Sequence, residues 1–410
     1  MQTNAKKTGF REPKLGQSRV WLNTGEPTRA TSTSGLTMQN AFLNPLQLET
    51  RDRYREGLQL ELTTLPLAPD SDSDRRLAVE VVLKFNEQWQ PVLGGRVKWG
   101  LKGGELRLTL DRGVFFVQGS DRTLSFIEMP ALHVSIQARS PQEWVWKFES
   151  KSPLSDAIAR VRCCELEVRE QAEGLTATFS ATPADVCPSE VEGLWKHSIS
   201  PNQHAVVERA LAFALCKERL SPYLSLARWP SVGEALPEVP VEEKALSSPE
   251  LQTIIDGVTS AETEDFFKLA AMAKLNPIGD FAGGNLLGTS LNGLDLGNAN
   301  FARANLRGAD LSDADLSEAN LNGANLKGTD LSGAYLGNAT LKNADLHRAS
   351  LALANLGGAD LSGANLQEVN LSNANLSSIK VEGTIFGQNS GLTEEMRLKL
   401  QERGAIVGET

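Results

Sequence analysis

The chain has 410 residues, 40% apolar and 22% charged, an ordinary globular composition that excludes a small disulfide scaffold and leaves room for two or three domains. Acidic residues outnumber basic ones by 51 to 41, and the net charge of −10 argues against a protein that coats nucleic acid by neutralising phosphates. Four cysteines without C-x-x-C spacing, no apolar run of 18 or more and an N-terminus without an apolar signal core predict a cytoplasmic protein with no membrane insertion.

Taken in chain order, residues 1–50 carry Lys6, Lys7, Arg11, Lys14, Arg19 and Arg29 with little apolar pattern, and are expected to form a disordered basic tail, with an organelle transit peptide as the alternative. Residues 51–229 show clean alternation in Leu58, Leu60, Leu62; Leu106, Leu108, Leu110; Trp144, Trp146, Phe148; Cys164, Leu166, Val168; and Ala177, Phe179, Ala181. Period two with one apolar face predicts an antiparallel, sandwich-like β domain, with hairpin turns at Lys102-Gly103-Gly104 and Glu173-Gly174. Ser200, Pro201 and Gln203 supply a cap, an N1 proline and an N3 partner for a helix over about 201–220. Residues 230–248, with three Pro and four Glu, read as a semi-rigid linker. Within 249–280, a helical N-terminal cap is expected, with Thr259 and Glu262 at capping-box spacing and a stripe of Phe266, Leu269, Ala270 and Ala273.

From residue 281 to 386 the sequence repeats every five residues. A large apolar residue stands at every fifth position from Phe281 to Leu376, 20 in all, and 14 of the 16 sites two positions before a centre from Ala299 to Ala374 are Ala. The residue directly before each centre is usually Asn or Asp. A helix would smear this period around its surface and a strand would flip alternate centres outward, so neither element fits. A coil that turns a corner every five residues does fit, with four sides and 20 residues per turn. The A(N/D)Lxx pattern resembles the pentapeptide-repeat family, and the resemblance implies a right-handed quadrilateral β-helix of about five coils, roughly 24 Å long at the strand spacing of a sheet. At its end, residues 387–410 are expected to form a C-terminal helical cap, with Thr393 as N-cap, Gly404 as stop, and Leu398 and Val407 closing the last coil. The segment GLTEEMRLKLQERGAIV is similar to the tail of many cyanobacterial pentapeptide-repeat proteins. WGLKGGELRLTL, with EGLW and SPYLSLARW, resembles the N-terminal portion of other cyanobacterial proteins, a likeness that implies no activity.

No catalytic constellation is legible. His133, His197, His204 and His347 are scattered, and the cysteines read as small core residues. GANLKGTD lacks the lysine of a phosphate loop and is a by-product of the repeat. No enzyme activity, metal or cofactor is therefore expected. What the repeat offers is charge in register. Residues 20 apart stack, so Arg307, Lys327 and His347, widened by Arg348, are expected to form a basic ladder. Two sides further round, Asp310 with Asp330 and Asp295 with Asp315, thickened by Asp313 and Glu318, are expected to form an acidic ridge. This pattern predicts a non-enzymatic binding or scaffold protein whose rod docks a protein partner of unknown identity. The alternatives are a site hidden in the β domain, or the DNA mimicry toward type II topoisomerases that the family resemblance implies. Between residues 281 and 380, nine acidic against six basic residues leave three net negative charges, thin for a duplex imitation. Oligomeric state stays open.

Overall fold

Alternating apolar residues build the N-terminal half into antiparallel strands. The computed structural model describes residues 49–408 except 53–57, 67–74, 113–114, 117–131, 156, 169–172, 196–197 and 230–247. These residues belong to one unit, Pro45–Thr410. Most of the expected basic tail and nearly all of the expected linker lie outside the described residues, as do His197 and the side chains of Cys163 and Cys164.

The strands are β1 (Glu49–Asp52), β2 (Leu58–Pro66), β3 (Arg75–Phe85), β4 (Gln88–Val92), β5 (Gly95–Leu101), β6 (Gly103–Arg112), β7 (Phe115–Phe116), β8 (Leu132–Ser140), β9 (Glu143–Ser150), β10 (Ala157–Val168), β11 (Glu173–Ser180), β12 (Val186–Glu192) and β13 (Ser225–Trp229). They form a six-stranded sheet in the order β1-β13-β11-β6-β9-β8, a four-stranded sheet β2-β3-β10-β7 and a three-stranded sheet β12-β5-β4. Register puts Leu106, Leu108 and Leu110 opposite Phe179, Ala177 and Leu175, all buried on one face. Phe85 of the four-stranded sheet meets Phe179 edge-on, ring centroids 5.8 Å apart.

Three expectations are corrected here. Lys102-Gly103-Gly104 makes no hairpin, because β5 and β6 belong to different sheets and the chain crosses between them at Lys102. Likewise Glu173 and Gly174 lie inside β11, whose sheet is not that of β10. Turn-forming residues mark a change of direction without saying which strands it joins. Glu49 and Thr50, assigned to the tail by the sequence, instead pair with Arg228 and Ala227 in β1.

Helix α1 (Pro201–Leu215) starts as its sequence dictates: Gln203 N–H donates to Ser200 Oγ at 3.2 Å and Ser200 N–H to Gln203 Oε1 at 2.9 Å. A π-helical turn, Cys216–Leu220, extends it to the expected end. Two further helices follow, α2 (Pro249–Thr259) and α3 (Phe266–Met272). Thr259 is not an N-cap. It closes α2, its hydroxyl donating to Ile255 O at 2.7 Å, while Asp265 caps α3 by accepting from Lys268 N–H. The threonine is pulled into the α2 ladder because Pro249 and the Leu251, Ile255, Val258 stripe start a helix upstream.

The repeat is a coil of 20 residues per turn. Asn285, Asn305, Asn325, Asp345 and Asn365 bridge one another in parallel, each 20 further on. Leu306 N–H donates up to Asn325 O at 2.8 Å, and Asn325 N–H donates down to Ala304 O at 2.9 Å. From Phe281 to Leu371 each side ends in a tight turn in which the N–H three residues after the centre, usually that of an alanine, returns to the centre's carbonyl, as from Ala309 to Leu306 O at 3.0 Å, around a left-handed residue, here Gly308 at φ +63. All the central residues from Phe281 to Leu371 are at most 1% exposed. Where Thr329 replaces Ala, its hydroxyl is satisfied by Leu306 O at 2.7 Å. Leu294, too large for a corner, is half-exposed, and Leu376 on the last coil is also only half-buried.

Phe266 of α3 covers the first coil, its ring 4.9 Å from that of Phe281, with Leu269 and Ala270 fully buried beside it. At the far end α4 (Glu394–Glu402) follows Thr393, which accepts from Met396 N–H at 3.3 Å. Strands β14 (Asn365–Leu366), β15 (Ile385–Phe386) and β16 (Ile406–Val407) add the last parallel rungs. Leu398 does not close the coil. It is 53% exposed, and Leu400 with the buried Arg397 faces inward instead, on the other side of the helix.

Candidate interaction surface

With leucine and alanine inside and the backbone spent on rungs, the rod presents only side-chain columns outward. Most of the Asn and Asp residues before the centres also have a local duty, since their Oδ1 accepts the N–H two residues on. Asp310 accepts Ser312 N–H at 3.0 Å and its hydroxyl at 2.6 Å, Asp315 accepts Ser317 N–H at 2.9 Å, Asp330 accepts Ser332 N–H at 3.0 Å, and Asp295 accepts Gly297 N–H at 3.2 Å. The hydrogen bonds from Ser317 hold the Asp315 carboxyl below its ordinary value. Asn fills this position equally well, and Asn305 and Asn325 add a ladder, Asn325 Nδ2 to Asn305 Oδ1 at 3.1 Å and Asn305 Nδ2 to Asn285 Oδ1 at 2.9 Å.

The expected acidic residues do stack, with Asp310 bridged to Asp330 and Asp295 to Asp315. Asp313 and Glu318 occupy left-handed turn positions at φ +56 and +60 on the same two sides. Among the described residues no lysine, arginine or histidine is paired with any of the six. The basic column behaves differently: Lys327 Nζ lies 3.1 Å from Asp345 Oδ2, and Arg348 Nε lies 2.8 Å from Glu368 Oε2, with His347 3.9 Å from Glu368. Arg307 alone of the four has no partner among the described residues. One placement is corrected, because the Asp310–Asp330 column lies on the side immediately after that of Lys327, and only the Asp295–Asp315 column lies two sides round. Only Gly328 and Thr329 separate Lys327 from Asp330, a single corner.

The β region meets the rod on another side. Arg303 Nη1 pairs with Asp185 Oδ1 at 3.0 Å and Nε lies 3.7 Å from Glu149, while Lys151 donates to Asn343 O at 3.1 Å. Arg303 and Asn343 sit in one column, opposite the column of Asp313 and next to that of Glu318. At the coil's first edge Asn202 of α1 acts as a missing rung: its Oδ1 accepts Ser290 N–H at 2.9 Å, and its Nδ2 donates to Ser290 O at 3.0 Å and Glu264 O at 2.8 Å. Buried Arg209 donates to the carbonyls of Asp280 and Pro183, and burial lowers it to about 10. None of these groups was legible as functional in the sequence. Polar residues on a helix read as a solvated face, and only the coil end makes them interior.

His133, His204 and His347 sit on separate elements, and among the described residues no group of three or more His, Cys, Asp or Glu could hold a metal. No helix among them is long and apolar enough to cross a membrane. Eight copies of the model for pentapeptide repeats match within residues 284–323, 309–348, 319–358 and 349–388. The chain belongs to the pentapeptide-repeat family. Solved pentapeptide-repeat structures similar to it include Rfr23 of the cyanobacterium Cyanothece 51142, 40% identical over 22% of this chain and 64% of that one, with a TM-score of 0.16. A protein of Nostoc PCC 7120 is 34% identical over 24% of this chain and 84% of its own, TM-score 0.17. One from the Arabidopsis thaliana thylakoid lumen is 28% identical over 28% and 80%, TM-score 0.21. Among curated proteins none matches. The β region and α1 lie outside the residues that the repeat model matches, so the family accounts for the rod alone.

Proposed function

We propose that this is a non-enzymatic, cytoplasmic binding or scaffold protein whose rod, a right-handed quadrilateral coil beside a β-sandwich-like region, docks a partner protein through its acidic ridge. The observation that carries this reading is the contrast between the two charged columns. Three of the four residues of the basic one, Lys327, His347 and Arg348, lie beside carboxylates of the rod, whereas Asp295, Asp310, Asp313, Asp315, Glu318 and Asp330 have no cation among the described residues. Stacked, unpaired carboxylates repel one another, and a basic surface relieves that repulsion while using charges already held in register. DNA mimicry is not favoured. A duplex carries one charge per about 1.7 Å, so a rod of roughly 24 Å would need about 14.

The test keeps the turns intact. Asn supplies the same Oδ1 acceptor as Asp, so Asp295, Asp310, Asp315 and Asp330 are each changed to Asn, which removes four charges without removing a turn bond. Pull-down of the tagged full-length protein from its host is expected to retain a partner that wild type releases with rising salt and that the fourfold variant does not hold. Capture at unchanged strength by the variant refutes the ridge and turns attention to the β region.

A further inference from the structure

Outside the ridge, the most unusual group is Glu208. It lies midway along α1 and is 5% exposed, at the junction of α1, β12 and the first coil. Its Oε2 is buried with no hydrogen-bond partner among the described residues, and its Oε1 is 3.5 Å from His204 Nδ1. The carboxyl opens on a crevice lined by Val186, Cys187, Ala212, Gly283 and Asn285, with room for about one water. Every element around it brings a polar or titratable group. From the first coil Asn285 faces it. From the β5–β6 crossing comes buried Lys102, whose Nζ is 3.4 Å from Gly283 O. Cys187 comes from β12, its thiol pushed up by burial. On α1 itself, His204 packs against Trp195 and is lowered by burial, and Arg209 is committed to carbonyls.

We propose that Glu208 is a proton-controlled latch between α1 and the first coil, closed when its carboxyl is neutral and loosened when it ionises. A buried carboxylate with one oxygen unpartnered is costly, and His204, the nearest base, is lowered by partial burial and so is a poorer counter-charge. The attraction of Lys102 and the Asn285 contact only partly offset the loss of water, and the group is raised from 4.5 to about 7. The direction follows from linkage. Opening the junction returns Glu208 to its ordinary value, so the opened state loses its proton from pH 4.5 upward while the closed state keeps it to about 7. Stability of the junction is therefore fully present below 4.5, falls through that window and levels off above it. His204, lowered in the closed state, acts in the opposite sense, its contribution present above its ordinary value and lost as the pH falls, which is why Glu208→Gln is needed to isolate the carboxyl.

Native-state hydrogen exchange on the full chain, corrected for intrinsic rates, reads the latch directly. The informative amides are those of α1 and Ser290, whose N–H is held by Asn202, with Leu331 and Leu346 in the central coils as references. Between pH 5.5 and 8 the opening constant at the junction is expected to rise at least about tenfold in wild type, the references staying flat. Glu208→Gln removes the rise and stays protected at pH 8. An equal rise in Glu208→Gln, or a flat wild type, overturns the proposal. Should Glu208→Gln fail to fold, carboxyl-carbon NMR titration of wild type decides: a midpoint near neutrality supports the latch and one near 4.5 refutes it.

Discussion

Truncating one central leucine tests the coil most directly. Leu316 is fully buried between Leu296 below and Leu336 above, its N–H bonded to Tyr335 O at 2.7 Å and its carbonyl to Ala319 N–H at 3.0 Å. Leu316→Ala removes three carbons, about 2.4 kcal/mol at roughly 0.8 kcal/mol per methylene. The cavity left behind adds to this in proportion to how little the site can collapse. Here it collapses poorly, because the rungs above and below are pinned by backbone hydrogen bonds. The loss should fall at about 4 kcal/mol, in the upper part of the range for such truncations. Leu316→Lys should cost more, since no carboxylate reaches the axis. Urea unfolding followed by circular dichroism measures the change, with Leu353→Ala, at a residue 67% exposed, as a control expected to stay within about 0.5 kcal/mol. A Leu316→Ala loss below about 1 kcal/mol would mean that the leucine is not in a packed column.

The same exposed leucine offers a gain, because Leu353 holds φ +63 at a turn where other sides use glycine; Leu353→Gly should stabilise by about 1 kcal/mol in thermal melts, and a loss would refute the turn assignment. Asn202→Ala strips Ser290 N–H and O and Glu264 O of their partner at the coil's edge, and should cost about 2–3 kcal/mol together with faster hydrogen exchange at Ser290; unaltered exchange there would show that the edge is satisfied some other way.

The repeat was legible because a period of five with an unbroken apolar column fits no helix or strand, and α1 because Ser200, Pro201 and Gln203 announce its start. The strands of the β region were legible from alternation, but their partners were not. Lys102-Gly103-Gly104 has hairpin chemistry, yet it crosses between sheets, since Ser150 N–H and the carbonyl of Asp185 claim the Lys102 backbone at 2.7 Å each. At the C-terminus, Leu398 and Leu400 are equally apolar, and the rotation of α4 that buries Leu400 is decided by contact with the last coil. The acidic ridge was legible as stacked charge. That its aspartates also close the turns was not, because an Asx turn shows only once the backbone is folded.

What most separates the structure from its sequence is the first edge of the coil. A parallel stack that stops exposes a rung of N–H and C=O groups, and an apolar cap such as Phe266 covers carbon without satisfying them. The polar partners come from far upstream: Asn202 meets Ser290, Arg209 meets the Asp280 carbonyl, and Arg303 meets Asp185 118 residues away. Each of these upstream side chains sits on a helix or turn where a solvated surface would be the default reading. Joining them through buried polar contacts makes the β region part of the rod's end, so that loss of either should unfold the other's edge. It also places Glu208 where a proton weighs on the junction, with one carboxylate oxygen that the coil end leaves unpaired.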